Sequence, residues 1–334
     1  MRTLIIGGTR NVGHLLAVDL LQSGVEVTVL NRGFTPDELP SDIKRLRADR
    51  TDKSSLRNAL GTASFDAVVD TTLYTGDEAQ AITEMLRGRV GRYVFLSTGQ
   101  VYLVRRGAPR PAREEDYAGE LIAEPERGTS EHDDWRYGVE KRDAEDALAD
   151  AYRRRHFPYI SLRLPMVNGE RDHYGRIRNY LARLDDGGPI VAPSEGELSV
   201  RHVYSGDVVQ AIRRAIEVSG IEGEAFNISQ NETVTLEEML AQLAALAGRE
   251  LRIARAPRSE LDARGLLPSC SPFSGRWMSA LDNRKSVERL GMRYTPLADY
   301  LERIVRDFRM RGSRPPGGYA TRQAELSLVR ELAH

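Results

Sequence analysis

One cysteine, Cys270, stands among 334 residues, so no intrachain disulfide can form and a reducing compartment is the expected setting. Long apolar runs are missing too. Nothing reaches the roughly 18 apolar residues that a membrane helix needs, and the opening "MRTLIIGG" is too short an apolar run for a secretory leader. These absences predict a cytoplasmic protein with no membrane association. Lysine is scarce: Lys44, Lys53, Lys141 and Lys285 are the four in the chain, so 44 of the 48 basic residues are arginine, the bias of a GC-rich genome. Against 49 acidic residues the net charge is −1, which gives no electrostatic footprint for nucleic acid. Six histidines and the single cysteine show no metal-ligand spacing, so no metal is expected.

What is present fits a globular enzyme or binding protein. Hydrophobic residues make up 40% and charged residues 29%, enough to bury the core of one large or two ordinary domains. The first half alternates. "TLII" reads as a short buried strand, "VGHLLAVDLLQSG" as a helix stopping at Gly24, and "VEVTVL" as a β-branched strand. "IKRLRAD" is a weaker strand, and "TDKSSLRNAL" a helix begun by a Thr or Asp cap. "FDAVVD" and "RYVFLST" are strands on either side of the helix "DEAQAITEMLRG". Apolar strands alternating with helices predict an α/β fold: a Rossmann-type doubly wound parallel sheet covered on both faces.

Residues 103–134 break that rhythm. They are rich in Arg, Glu, Pro and Gly without a sustained period, and read either as a loose surface insertion or as a lid over a pocket. Beyond Pro165 come the helices "RIRNYLARLDDGG", "GDVVQAIRRAIEVSG" and "TLEEMLAQLAALAG" and the strand "EAFNIS". The expected division is a nucleotide-binding domain over residues 1–165, with a strand and helix returning to it around 200–230. A smaller α/β substrate-binding domain follows over 166–310, then a tail over 311–334.

The loop "IIGGTRNVGHLL" places Gly7, Gly8 and Gly13 between a strand and a helix, the setting of a dinucleotide-binding turn. Glycines let the backbone approach a pyrophosphate, and the helix N-terminus offers it free N–H groups. Arg10 stands where the usual G-x-x-G-x-x-G has its middle glycine. The second strand ends in "VLNRG", so Asn31 and Arg32 occupy the place where an NAD enzyme carries an acid for the ribose hydroxyls. A carboxylate repels a 2′-phosphate and an arginine binds it. With Arg10 nearby, NADP(H) is expected in preference to NAD(H). Asp49, ending the third strand, is placed either to accept from the adenine amino group or to cap the next turn.

"YGVEK" sets Tyr137 and Lys141 on one helical face, after the insertion and on the same side as Ser97 and Thr98 at the end of "FLST". A phenol with a pKa near 10 is a poor base at neutral pH. An ammonium one turn away and a nicotinamide's positive charge favour its phenolate. In this reading Thr98 donates to a substrate oxygen, Tyr137 moves the proton and Lys141 also holds the nicotinamide ribose.

"GGTRNVG", "VLNRG", "RADRTD", "VVDTTLY", "VFLSTGQVYL", "YGVEK", "LRLPMVNGERD", "GDVVQAI", "AFNIS" and "LGMRYTPL" together resemble the extended short-chain dehydrogenase/reductases of the NAD-dependent epimerase/dehydratase family, over about residues 1–305. "GGTR" with "NRG" further resembles a subgroup of bacterial reductases and chloroplast stem-loop RNA-binding proteins. The resemblance implies a catalytic triad of Thr98, Tyr137 and Lys141. Residue reading and resemblance together name Gly7, Gly8, Thr9, Arg10, Asn11, Val12, Gly13, Asn31, Arg32, Asp49, Arg50, Thr71, Thr72, Lys141 and Pro165 for the cofactor. Tyr74, Ser97, Gln100, Asn168 and Arg201 are named for the substrate, and Arg176, Arg178, Arg276 and Trp277 as further pocket candidates. A homodimer is the assembly the family implies.

Two departures narrow the chemistry. The family's sugar-nucleotide 4,6-dehydratases carry Asp-Glu after the Thr, whereas Gly99-Gln100 stand here, against water elimination. Nucleotide-sugar members place an Arg ahead of the strand leading to "GD". Arg201 is one residue out of step, which turns a strand side chain to the opposite face. The expected function is an NADP(H)-dependent oxidoreductase acting on a hydroxyl or ketone carbon of a small molecule. A sugar or nucleotide-sugar epimerase, and a non-catalytic RNA- or partner-binding protein, are the alternatives.

Overall fold

The structure, a computed structural model, describes residues 1–196, 199–312 and 315–332. Ser313, Arg314, Ala333 and His334 of the expected tail lie outside the described residues. The chain divides into two compact units. The first comprises Met1–Pro165, Ser205–Ser229 and Leu281–Arg293, and the second Met166–Tyr204, Gln230–Ala280 and Tyr294–His334.

The first unit is built on strands β1 (Arg2–Ile6), β2 (Glu26–Asn31), β3 (Lys44–Arg47), β4 (Phe65–Asp70), β5 (Val90–Thr98) and β6 (Tyr159–Leu164), joined by a seventh strand, Glu224–Asn227. Their order is β3-β2-β1-β4-β5-β6 and then the seventh strand, every pair parallel. The first crossover helices are α1 (Asn11–Gln22), α2 (Lys53–Leu60) and α3 (Gly76–Met85). After β5 come a short helix α4 (Gln100–Leu103) and the long α5 (Ser130–Arg155). The direction of winding reverses between β1 and β4, which opens a crevice beyond their carboxyl ends.

Local sequence accounts for these elements. Leu4, Ile5, Val29, Val68, Val69 and Val94 are fully buried, as strands covered on both faces require. Asp52 caps α2 by accepting from the amides of Ser54 (2.9 Å) and Ser55 (3.1 Å), a contact that contributes about 1 kcal/mol. Leu56, Leu60, Ile82 and Leu148 from α2, α3 and α5, with Leu86 just after α3, pack with Leu4, Val68 and Phe95 of the sheet. Each such side chain contributes about 1.5–3 kcal/mol by leaving water.

The first half of the insertion is clamped, which opposes the reading of a loose surface segment. Arg142 of α5 donates to the carbonyls of Val101 and Tyr117, both at 2.8 Å. Asn227 donates through its side chain to Ala112 O (3.0 Å) and through its amide to Glu114 Oε1 (2.7 Å). Composition does not reveal this clamp because Arg142 and Asn227 lie outside the segment.

The second unit is mainly helical. Arg176–Asp185, Leu236–Ala247 and Leu297–Arg311 pack through Tyr180, Leu181, Leu240, Leu243, Tyr300 and Ile304. Leu236–Ala247 starts in a capping box of Thr235 and Glu238 and stops at Gly248 in the left-handed region. Two boundaries differ from the expected division. Leu281–Arg293 belongs to the first unit, and the described tail residues belong to the second. The tail helix Arg322–Leu332 is fixed there by a fully buried pair, Arg183 with Glu325 at 2.5 Å, and by Arg322 with Asp186 at 2.7 Å.

Candidate functional site

The glycine turn sits at the crevice. Gly7 has φ +100° and a side chain there would run into Thr71, whose hydroxyl donates to Ile6 O at 3.0 Å. At Gly13 a Cβ would stand 2.6 Å from Gly8 Cα, so helix α1 approaches the strand end more closely than any side chain permits. Val12 and Gly13 are buried in α1, and Asn11 at φ +42° leads into it with its Oδ1 buried and without a partner. These are a backbone cradle and open amides at a helix start, which fit a dinucleotide pyrophosphate.

A cavity of about 360 Å³ continues from this turn. Gly7, Thr9, Asn31, Arg32, Asp49, Arg50, Thr72, Tyr74 and Glu78 line it, with Leu30 and Ala48 as its apolar wall. Asp49 accepts from the amide (2.9 Å) and hydroxyl (2.7 Å) of Thr51, and these bonds hold its carboxyl below the usual range. Arg32 is largely exposed, 4.0 Å from Asp49 and over the Phe34 ring. Arg10 is exposed and donates to Thr35 at 3.4 Å. Arg50 is tied down, to Asp70 at 2.7 Å, Thr72 at 3.2 Å and Glu78 at 3.3 Å. A larger open groove of about 830 Å³ between α3 and α5 carries no glycine turn and no strand end, so the smaller cavity is the candidate nucleotide site.

Lys141 lies near the ends of β4 and β5. Its ammonium is buried and donates to Leu73 O (2.7 Å) and Leu96 O (2.8 Å). Three rings surround it, Phe95 at 4.5 Å, Tyr74 at 5.0 Å and Tyr137 at 5.9 Å from their centroids. Burial pushes its pKa down to about 7, against the opposing pull of Asp70. Tyr137 is half-buried, and its ring stands 6.2 Å from that of Tyr74. Thr98 ends β5 and its hydroxyl accepts from the Gln100 amide at 3.3 Å. Gln100 donates to Asp134 at 3.3 Å, one turn before Tyr137, and burial raises the Asp134 carboxyl.

Ser97 is elsewhere. It is buried and donates to Glu145 at 2.5 Å, part of an interior network in which Glu145 also takes Arg163 at 2.6 Å. Successive strand residues face opposite sides, so Thr98 and Ser97 cannot both face the crevice, and the placement of Ser97 opposes a substrate contact. Pro165 follows β6, buried. Asn168 and Arg201 belong to the second unit. Asn168 is buried against His202 (3.0 Å), and Arg201 donates to Asn231 O (2.9 Å) and Thr233 (3.0 Å). Arg176 pairs with Asp172 at 3.3 Å and Arg178 with Asp307 at 3.7 Å, both inside the second unit; Arg276 is exposed and Trp277 half-buried there.

Sequence reasoning missed Asp70, Glu78, Phe95 and Asp134. Asp70 had a signal, a fully buried carboxylate ending an apolar strand, held by Arg50 and by the Tyr93 hydroxyl at 2.7 Å.

Known proteins resemble this chain in sequence and in fold. A chloroplast stem-loop binding protein of 41 kDa from Arabidopsis thaliana is 27% identical over 260 residues, 74% of this chain, and the chain spans 63% of that relative's length. A 2′-dehydrokanamycin reductase from Streptomyces kanamyceticus is 23% identical over 253 residues, 75% of this chain and 67% of that one. Among solved structures, UDP-glucose 4-epimerase from Thermotoga maritima matches with a TM-score of 0.73 and 21% identity, covering 93% of this chain and 99% of that one. The enzyme of the same name from Thermus thermophilus, complexed with NAD, matches at 0.70 and 23%, covering 92% and 99%. At such identities the structures establish the fold, a Rossmann-type parallel sheet. Among the described residues no helix is long and apolar enough to cross a membrane. The sequence profile described as the NAD dependent epimerase/dehydratase family matches residues 3–229, and with the crevice, glycine turn and Tyr–Lys helix described above this chain belongs to that family.

Proposed function

We propose that the protein is an NADP(H)-dependent reductase of a ketone on a small, sugar-like or natural-product molecule. The observation that carries this reading is the desolvated Lys141 ammonium one helical turn from Tyr137. When bound, the reduced nicotinamide supplies a hydride to the carbonyl carbon. Tyr137 donates its phenolic proton to the carbonyl oxygen, and Lys141 stabilises the phenolate left behind. Thr98 donates a hydrogen bond to the same oxygen and orients it. Gly7, Gly8, Thr9 and the α1 N-terminus would hold the pyrophosphate, and Asp49 would accept from the adenine amino group. Asn31 and Arg32 in place of an acid favour a 2′-phosphate over a free hydroxyl.

The test has two measurements. The cofactor released from purified protein is identified, and NADPH absorbance at 340 nm is followed with a panel of keto-sugars. The expected result is no tightly held NAD and consumption of NADPH matched to alcohol formed. Tight NAD with isomerisation and no net consumption overturns the reading in favour of an epimerase. Salt-sensitive RNA binding without affinity for either dinucleotide overturns it in favour of a binding protein. Tyr137→Phe removes only the transferable proton. Turnover should fall at least about a hundredfold while NADPH fluorescence titrates almost unchanged.

A further inference from the structure

The parallel register sets Asn31 of β2 beside Arg47 of β3. The Asn31 carboxamide oxygen accepts from the Gly33 amide at 2.9 Å and from an Arg47 guanidinium N–H. Both neighbours are donors, so the oxygen must face them and the amide nitrogen is left as a donor. That nitrogen, Nδ2, is buried and has no acceptor. Gly33, at φ +80°, lies so close under the guanidinium that a Cβ there would stand 2.9 Å from Arg47 Nε. Arg47 itself is exposed and its hydrogen bond to Asn31 is to a neutral group; Asp37 feels its charge but is already paired with Arg45 at 3.0 Å. Arg32 and Gly33 line the nucleotide cavity at the same corner.

We propose that Arg47, steadied by Asn31, is a second binding group for a phosphomonoester on the adenosine ribose, working with Arg32. The inference rests on the NADP(H) reading and adds Arg47, the opening residue of "RADRTD", which the sequence reading did not name for the cofactor. An arginine fork takes two phosphate oxygens at once. An oxygen of the ligand also supplies the acceptor that Asn31 Nδ2 lacks, removing an unsatisfied donor. An acid at position 31 would spoil the arrangement, because it would pair with Arg47 and repel the phosphate.

Calorimetric titration of the full chain with adenosine 2′,5′-bisphosphate and with ADP tests this without any substrate. The parent should prefer the bisphosphate by about tenfold or more. Arg47→Gln should lose about tenfold on the bisphosphate and little on ADP, and Asn31→Asp should lose at least as much. A parent that binds both probes equally overturns the NADP(H) reading itself. A parent that prefers the bisphosphate, with Arg47→Gln and Asn31→Asp unchanged, overturns the role of Arg47 alone and leaves that reading standing. ADP affinity and the unfolding midpoint of each variant separate a lost contact from a lost fold.

Discussion

Two groups of arginines in the first unit differ in what their charges meet. In the interior, Arg163 gives two bonds to Glu145 Oε2 and one to Glu145 Oε1, a fourth to the Tyr102 hydroxyl at 2.7 Å, and stacks on Tyr117 at 4.4 Å. Next to the nucleotide cavity, Arg10 and Arg47 bond its lining residues Thr35 and Asn31, both neutral, and Arg32 in the lining reaches a carboxylate only at 4.0 Å. A guanidinium whose donors and charge are matched inside the protein holds structure. One that is positioned but not neutralised has binding capacity left for a ligand. In a chain where 44 of 48 basic residues are arginine, residue type cannot make that distinction, and the partners do.

The comparison can be broken most forcefully in the interior. Arg163→Met leaves Glu145 buried without its cation, and the fold should lose about 3–5 kcal/mol in urea unfolding. A loss under about 1 kcal/mol, the range of exposed ion pairs, would erase the difference between the two groups. Lys141 gives a second, smaller test of a buried cation. Folded Lys141 releases its proton near pH 7, against an ordinary value of 10.5 in the unfolded chain. Between these values the unfolded state binds more protons, so stability rises with pH. Below pH 7 the full cost of the buried ammonium is present. The parent should therefore gain on the order of 1–2 kcal/mol from pH 7 to 10 beyond any gain in Lys141→Met, measured by urea unfolding at each pH. Parallel stability curves would show that the amine is better hydrated than its surroundings indicate. The smallest effect is at the rim. Arg10→Ala should weaken NADPH only about two- to threefold, and the loss should shrink as salt is raised.

Much of the first unit was legible because its signals are local. The glycine turn, the apolar strands and the Asp52 cap each depend on neighbours within a few residues. Tyr137 and Lys141 were legible as a pair one turn apart. What stayed hidden depends on distant pairing. Glu145 meets Ser97 and Arg163 from 48 and 18 residues away, so Ser97 looked as available as Thr98. Arg47 sits two residues before Asp49 in the chain, yet its position follows from the β2–β3 register. The return of Leu281–Arg293 to the first unit carries no periodic mark, since a segment that closes a domain has the same composition as one that leaves it.

The split construction of the first unit governs how the protein can be cut. Ending a fragment at Pro165 removes the seventh strand, whose ladder with β6 runs from Glu224–Ile160 to Asn227–Arg163. It would leave the wholly buried side chains of "YISLRL" on a bare sheet edge, a template for intermolecular pairing and aggregation. A stand-alone nucleotide-binding fragment would therefore need residues 205–229 and 281–293 stitched back through short linkers.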